Sequence, residues 1–363
     1  MVEALTARIT PARPRHIVVV GETFPASRTP QRVLAMRQLG HTVHTIPTTL
    51  PGNDYETSPT MMARLRYRIR LPTDPAGAND AILSLRERVD ILWLETANMI
   101  RVRTLKRLKT IYPRISIVWY SEDDMMNPRN RSIWLNKTMP KIDLWATTKS
   151  LNNRTEERAA LGLGRVIFVN NSYDPKAHRP VDISASDREA FGSPISFIGT
   201  FEAPRARSVL FLARSGLQVR VWGNGWDRMR DHHENLVIEG RPAYGIEFAK
   251  VVAASPVNLC FLRHANRDLQ TCRSIELPAC GGFMIHERNE EITGLLRELR
   301  EAVYFSNDAE LLRQCHYWLK REEAREAIAA GGRRRVGELR LTHEANISRI
   351  LNRLDATGMG QAV

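Results

Sequence analysis

The sequence predicts an α/β protein of two Rossmann-like domains that face each other across a cleft, with a helical C-terminus. Three observations carry that reading. The chain has 363 residues, enough for two domains at roughly 100–200 residues each. Two series of short apolar runs, opening at His16–Gly21 and at Ile195–Gly199, alternate with stretches of helical periodicity. Between them lies 170–194, rich in Pro, Ser and Asp and aperiodic, which reads as an interdomain connection.

In the first series His16–Gly21 is an apolar strand ending in glycine. Val33, Leu34, Met36 and Leu39 recur at helical spacing, Gly40 caps that helix, and 41–47 is a second strand. Strand, helix, glycine and strand together open a parallel βαβ sheet. Met61–Leu71 reads as a basic helix bounded by prolines. Asp90–Glu95 is a strand, Arg101–Ile111 a basic helix and Ile115–Tyr120 a strand. Asp143–Thr147 is a strand, Leu151–Leu161 a helix and Arg165–Val169 a strand.

The second series runs through strand Ile195–Gly199, helix Arg205–Ser215 and strand Leu217–Trp222, which enters Gly223-Asn224-Gly225. Leu236–Gly240 is a strand, Gly245–Ala254 a helix and Val257–Leu262 a strand. Thr271–Cys280 is a short helix, Gly282–His286 a strand, Glu290–Leu299 a helix and Ala302–Phe305 a strand. Helix follows to about Leu354. The expected divisions are a basic arm (1–15), a first domain (16–180), a linker (181–194), a second domain (195–340) and a C-terminal helix and tail (341–363). In such sheets ligands sit at the carboxyl ends of the strands.

Composition narrows the classes. Hydrophobic residues are 43% and charged residues 26%, which excludes wholesale disorder. No apolar run reaches the roughly 18–20 residues of a membrane span. The first fifteen residues lack the apolar core of a secretory signal, and the four cysteines show no CxxC spacing, so a reducing, cytoplasmic location is expected. Net charge is +13, mostly from arginine, which suits a nucleotide, a nucleic acid or an anionic membrane face. Dispersed arginines on solvated helix faces give the same number, so charge alone decides nothing.

The stretch Ser255–Asn289 carries the most chemistry. After the strand ending at Leu262, a short helix places Arg273 and Glu276 on one face at i, i+3. Pro278 limits that helix and Gly281-Gly282 close it. A cation there would meet a diphosphate, and a carboxylate would accept hydrogen bonds from ribose hydroxyls. The same spacing equally describes a surface ion pair worth well under ~1 kcal/mol. Asp123 and Asp124, beside Glu122 where a strand leaves the first sheet, form a run of carboxylates. Mutual repulsion would raise the proton affinity of one of them and fit it as a base. Helix capping by one aspartate is the alternative. Gly21-Glu22 and Arg28 stand at the end of the first strand, where a ligand would be met. His178, just before Pro180, reads as a linker contact. Adjacent His232 and His233 point different ways, and no metal site is expected.

The segment Asn266-Arg-Asp268, Thr271, Arg273-Ser-Ile-Glu276 and Pro278-Ala-Cys-Gly-Gly-Phe283 resembles the C-terminal signature of the CgeB-like (spore maturation protein) glycosyltransferases. WYSEDDMMNPRNRS from Trp119, ATTKSLNNRT from Ala146, FVNNSYDPKAHRP from Phe168, FIGTFEAPRA from Phe197 and VWGNGW from Val221 resemble further blocks of that family, in order. The likeness runs from about Arg114 to Leu351.

It implies the GT-B architecture and transfer of a sugar from a nucleoside diphosphate sugar, without metal or other cofactor. The first domain would then bind the acceptor (a glycan, a lipid-linked molecule or a protein) and the second the donor. Related retaining enzymes carry E-x7-E, matched here by Asp268 and Glu276, with Asp in the first place and Leu269 where glycine often follows. Glu276 would hold the ribose, Asp268 would lie nearer the sugar, and a retaining outcome is expected. Arg273 would neutralise the diphosphate, with Gly199 and Thr200 offering backbone donors and Arg205 assisting from the next helix. Gly223, Asn224, Gly225, Thr271 and Tyr244 would line the nucleotide, and Asp123 or Asp124 would serve as base.

Peripheral contact with an anionic membrane, through basic helices 61–71 and 101–111, is a further expectation. Nucleic acid is not an expected partner, since the basic residues form no stripe with interleaved aromatics. Other readings are a GT-B epimerase or phosphorylase, a catalytically silent coat or scaffold protein, and a basic nucleic-acid binder.

Overall fold

The computed structural model describes residues 13–24, 26–229 and 231–356 and resolves two compact units. Most of the expected basic arm and the end of the expected tail lie outside the described residues.

Unit 1 holds β1 (His16–Gly21), α1 (Thr29–Gln38), β2 (Thr42–Pro47), α2 (Met61–Arg68), α3 (Ala78–Leu83), β3 (Ile91–Glu95) and α4 (Val102–Ile111). It continues with β4 (Ser116–Ser121), α5 (Ile133–Thr138), β5 (Leu144–Thr147), α6 (Thr155–Leu161) and β6 (Val166–Phe168). Its six strands are all parallel, in the order β2-β1-β3-β4-β5-β6. The strands are nearly continuous apolar runs because helices cover both faces.

Unit 2 begins with α7 (Ala185–Phe191), β7 (Ile195–Ile198), α8 (Ala203–Arg214), β8 (Val219–Trp222), β9 (Leu236–Ile238) and α9 (Gly245–Ala254). It goes on through β10 (Val257–Cys260), α10 (Arg273–Ala279), β11 (Met284–Glu287), α11 (Glu290–Leu295), β12 (Val303–Phe305), α12 (Asp308–Leu319) and α13 (Glu322–Glu338). Its parallel sheet runs β12-β11-β10-β7-β8-β9. The order reverses between β7 and β10, paired with Leu259 opposite Phe197, so the carboxyl ends of these two strands flank the sheet's topological switch point. Alternation divides the core: Ile195, Phe197, Val219 and Val221 pack with Val209 and Leu311, while Ile198 and Trp222 pack with Phe248, Val251 and Ile275.

The chain passes between the units at Asn170–Asn171 and again at Thr342–His343, because the last helix, α14 (His343–Asp355), belongs to unit 1. Its Ile347, Ile350 and Leu351 share a buried cluster with Val33 and Met36 of α1. The stretch 181–194, read from sequence as a linker, is part of unit 2 and carries α7. Ser184 and Asp187 start that helix with a reciprocal capping box. The long C-terminal helical region is three helices. The helix expected over Glu290–Leu299 stops at Leu295, and the chain then turns through Leu299, whose φ is +59°.

Candidate functional site

At the switch point the loops after β7 and β8 are laced together by their own backbone. The Gly199 N–H donates to the Trp222 carbonyl (2.8 Å) and the Phe201 N–H to the Asn224 carbonyl (2.9 Å). The Trp226 indole N–H donates to the Gly199 carbonyl (2.9 Å). Gly223 has φ +155°, and a Cβ there would lie 1.9 Å from the Gly199 oxygen, so only glycine fits. These bonds correct one expectation: the Gly199 amide is committed to Trp222 and is not a donor for phosphate. Thr200 is exposed, and Asn224 and Gly225 are half-buried.

Arg205, expected to assist at the diphosphate from the helix after β7, does not stand on an exposed helix start. It is instead buried, and its guanidinium donates to the carbonyls of Thr200 and Phe261 (both 3.2 Å), beyond the ends of β7 and β10. Desolvation by that burial lowers its pKa. Arg207, two residues on, is exposed.

The first turn of α10 brings Arg273 and Glu276 together, as their spacing requires. The pair is not a surface one: the Glu276 side chain is 1% exposed. Arg273 Nε donates to the Ile198 carbonyl (3.1 Å), and its guanidinium carbon sits 4.6 Å from the centre of the Phe248 ring. His178 joins them, with Nε2 3.6 Å from Glu276 Oε1 and its ring edge-on to Phe248 at 5.4 Å. The Asp174 N–H donates to His178 Nδ1 (3.2 Å), which leaves Nε2 as the protonated nitrogen facing the carboxylate. Sequence reasoning discounted His178, and no spacing in its aperiodic surroundings marked it.

The amino end of α10 is fixed from beneath. The Ser274 hydroxyl accepts from the Thr271 N–H (2.9 Å) and lies 2.7 Å from His286 Nε2. His286 Nδ1 is 2.6 Å from the Glu287 carbonyl, which can only accept. The proton therefore sits on Nδ1, and Ser274 donates to Nε2. Asp268 is buried on the β10–α10 connection and accepts from Asn266 Nδ2 (2.7 Å). Tyr244 stands half-exposed at the N-cap of α9.

In unit 1 the expected carboxylate run separates by function. Asp124 is buried, and its Oδ1 accepts from Asn152 Nδ2 (2.8 Å) and the Met126 N–H (3.0 Å), so it holds the turn after β4. Asp123 is half-buried, and its carbonyl accepts from the Ser121 hydroxyl (3.0 Å). Glu122 pairs with Arg32 (3.3 Å), which also forks onto Glu95 (2.7 and 2.8 Å). Glu22, after β1, has a raised proton affinity, because burial outweighs the hydrogen bond from the Tyr55 hydroxyl (2.9 Å). Among the described residues no group of three or more His, Cys, Asp or Glu is gathered as a metal site.

Residues 205–352 match the model of the family described as glycosyl transferase-like. Among curated proteins nothing matches the sequence. Several solved structures are similar over nearly the whole chain. Sucrose-phosphate synthase from Thermosynechococcus elongatus is 12% identical, with a TM-score of 0.64, covering 96% of this chain and 100% of its own. Anabaena Alr3699/HepE in complex with UDP and glucose is 11% identical, with a TM-score of 0.61 and coverage of 94% and 100%. An α,α-trehalose-phosphate synthase (UDP-forming) from Burkholderia vietnamiensis is also 11% identical, with a TM-score of 0.59 and the same coverage. The two parallel six-stranded sheets with flanking helices are the GT-B fold.

Proposed function

We propose that this protein is a glycosyltransferase that takes its sugar from a nucleoside diphosphate sugar bound by unit 2. The observation that carries the reading is the Arg273–Glu276 turn, beside the switch point of a GT-B sheet and inside the segment that matches the glycosyl transferase-like family. Cleavage of the donor's anomeric bond leaves negative charge on the departing diphosphate. A guanidinium held in place by Ile198 and Phe248 meets that charge without reorganising. Glu276, paired with Arg273, accepts from ribose hydroxyls, with His178 Nε2 near its other oxygen.

Asp268 lies toward the sugar, and Thr200, Asn224, Gly225, Thr271 and Tyr244 border the nucleotide. In this reading the arginines carry the diphosphate's charge without a metal, and the outcome is retention. The Asn266–Phe283 motif favours the CgeB-like subtype. Structures of similar fold were solved with UDP and with UDP-glucose, which favours a uridine donor. Unit 1 takes the acceptor, and Glu22 joins Asp123 and Asp124 as a carboxyl suited to receive its proton.

The test is thermal stabilisation by UDP, GDP, TDP and ADP, each with and without its sugar, followed by donor hydrolysis. One nucleotide is expected to raise the melting temperature. Glu276→Gln is expected to cut that stabilisation by about tenfold in affinity, with the unliganded protein still folded. Equal nucleotide binding by wild type and variant would reject the ribose assignment, and no stabilisation by any of the four would reject the donor reading.

A further inference from the structure

A cavity of about 380 Å³ opens in unit 2 away from the candidate site. The turn between α11 and β12 forms one wall and the second half of α13 the other. That turn precedes a strand, so it lies at the amino ends of the parallel strands, whereas the loops holding Thr200, Asn224 and Arg273 all follow strands.

The sequence gives up helix stability to build this wall. Gly331 and Gly332 stand inside α13, where glycine weakens a helix relative to alanine. A Cβ on Gly331 would lie 2.0 Å from the Arg300 carbonyl oxygen, and one on Gly332 would lie 2.5 Å from that of Glu301. The two glycines thus let the turn rest directly on the helix backbone.

The turn is rigid in its own right. Leu299 takes the left-handed conformation and donates to the Ala302 carbonyl (2.9 Å). Glu301, 3% exposed, accepts from the Arg297 N–H (2.7 Å) and Nε (2.8 Å), with Arg335 Nε 3.8 Å away. Those hydrogen bonds hold its carboxyl below the usual range despite burial, which acts the other way.

Four guanidinium groups and two carboxylates line the cavity. Arg297 and Arg335 answer Glu301, and Arg335 also approaches Glu338 at 4.0 Å. Arg300 and Arg334 remain, both exposed and with no acidic partner among the described residues. Two arginines without an acidic partner, lining the same cavity as Ala327 and Ile328, supply the bidentate donors a phosphate takes, with apolar surface beside them for a small organic body. The volume falls in the range of small-molecule sites.

We propose that this cavity binds a phosphate monoester of about sugar size, gripped by Arg300 and Arg334. The site goes beyond the donor reading and does not share a residue with it.

Calorimetric titration of the full chain with ribose 5-phosphate, and separately with inorganic phosphate, tests it. Ribose 5-phosphate is expected to bind one equivalent. Arg300→Ala/Arg334→Ala is expected to weaken it by at least about tenfold, with the melting temperature unchanged because neither side chain has a partner to lose. Arg300→Lys/Arg334→Lys is expected to recover part of the affinity, which a purely structural effect would not produce. Arg273→Ala is expected to leave the binding intact, which separates this site from the donor site. Equal binding by wild type and the double alanine variant, loss of binding with Arg273→Ala, or no heat with ribose 5-phosphate would each overturn the assignment. Should the alanine variant unfold, wild-type affinity in a folded Arg300→Gln/Arg334→Gln variant would overturn it equally.

Discussion

At His286 burial pushes the imidazole down to about 4, against an ordinary value of 6.5. The folded protein holds this ring neutral, while the unfolded chain binds a proton below about 6.5. The contribution to stability is therefore complete above that pH and is lost as pH falls toward 4. Between pH 7 and pH 5 the loss is on the order of 2 kcal/mol. Urea unfolding at the two pH values, compared with His286→Asn, checks this: the variant is expected to lose less between them. Protonation would also put an N–H on Nε2 against the Ser274 hydroxyl, so the turn bearing Arg273 and Glu276 is anchored by a group that must stay neutral. The i, i+3 spacing made that last pair legible in the sequence. Its burial was not, because His178 and Phe248, which enclose it, come from segments 98 and 28 residues from Glu276 along the chain. The same holds for Arg205, whose two carbonyl partners are strand ends brought together only by the sheet.

Among the elements, α2 buries none of its residues. Met61, Met62, Leu65 and Tyr67 are exposed at 87%, 63%, 55% and 66%, between Arg64, Arg66 and Arg68. Apolar side chains interleaved with arginines on one exposed helix are the pattern of a helix lying in an anionic lipid surface. Flotation with vesicles containing phosphatidylserine is expected to carry the protein upward, and phosphatidylcholine vesicles are not. Leu65→Glu/Tyr67→Glu is expected to reduce the bound fraction by about tenfold. Unchanged flotation would remove α2 as the contact. No helix among the described residues is long and apolar enough to cross a membrane. Every strand among the described residues overlaps an apolar run read from the sequence, because short apolar runs bounded by turn residues mark buried parallel strands. Helices α3, α5 and α7 were missed. At six or seven residues each, they complete too few turns to show a period, and side-chain caps or neighbouring elements hold them instead.

For the molecule as a whole, the chain's double passage between the units shapes its stability. Unit 2 is one continuous segment, but unit 1 is complete only with α14. Ile347, Ile350, Leu351 and Leu354 are buried there, and burial of four such side chains contributes on the order of 6 kcal/mol or more, comparable to the whole stability of a domain. Truncation after Thr342 is expected to speed amide exchange throughout β1, α1 and β3 while β7, β8 and β10 keep their protection. Exchange followed by mass spectrometry reads both units in one sample, and equal acceleration in the two would contradict this division. The two-sheet plan was readable from glycine-terminated apolar runs. The return of the last helix was not, since its amphipathic pattern names an apolar face without naming the surface that covers it. That return fixes an order of events on the ribosome. The sheet of unit 1 is made before that of unit 2, yet Val33 and Met36 stay uncovered until α14, which follows the whole of unit 2 in the chain, has emerged. The earlier-made sheet thus matures no sooner than the later one, and it is the sheet a chaperone has longer to hold.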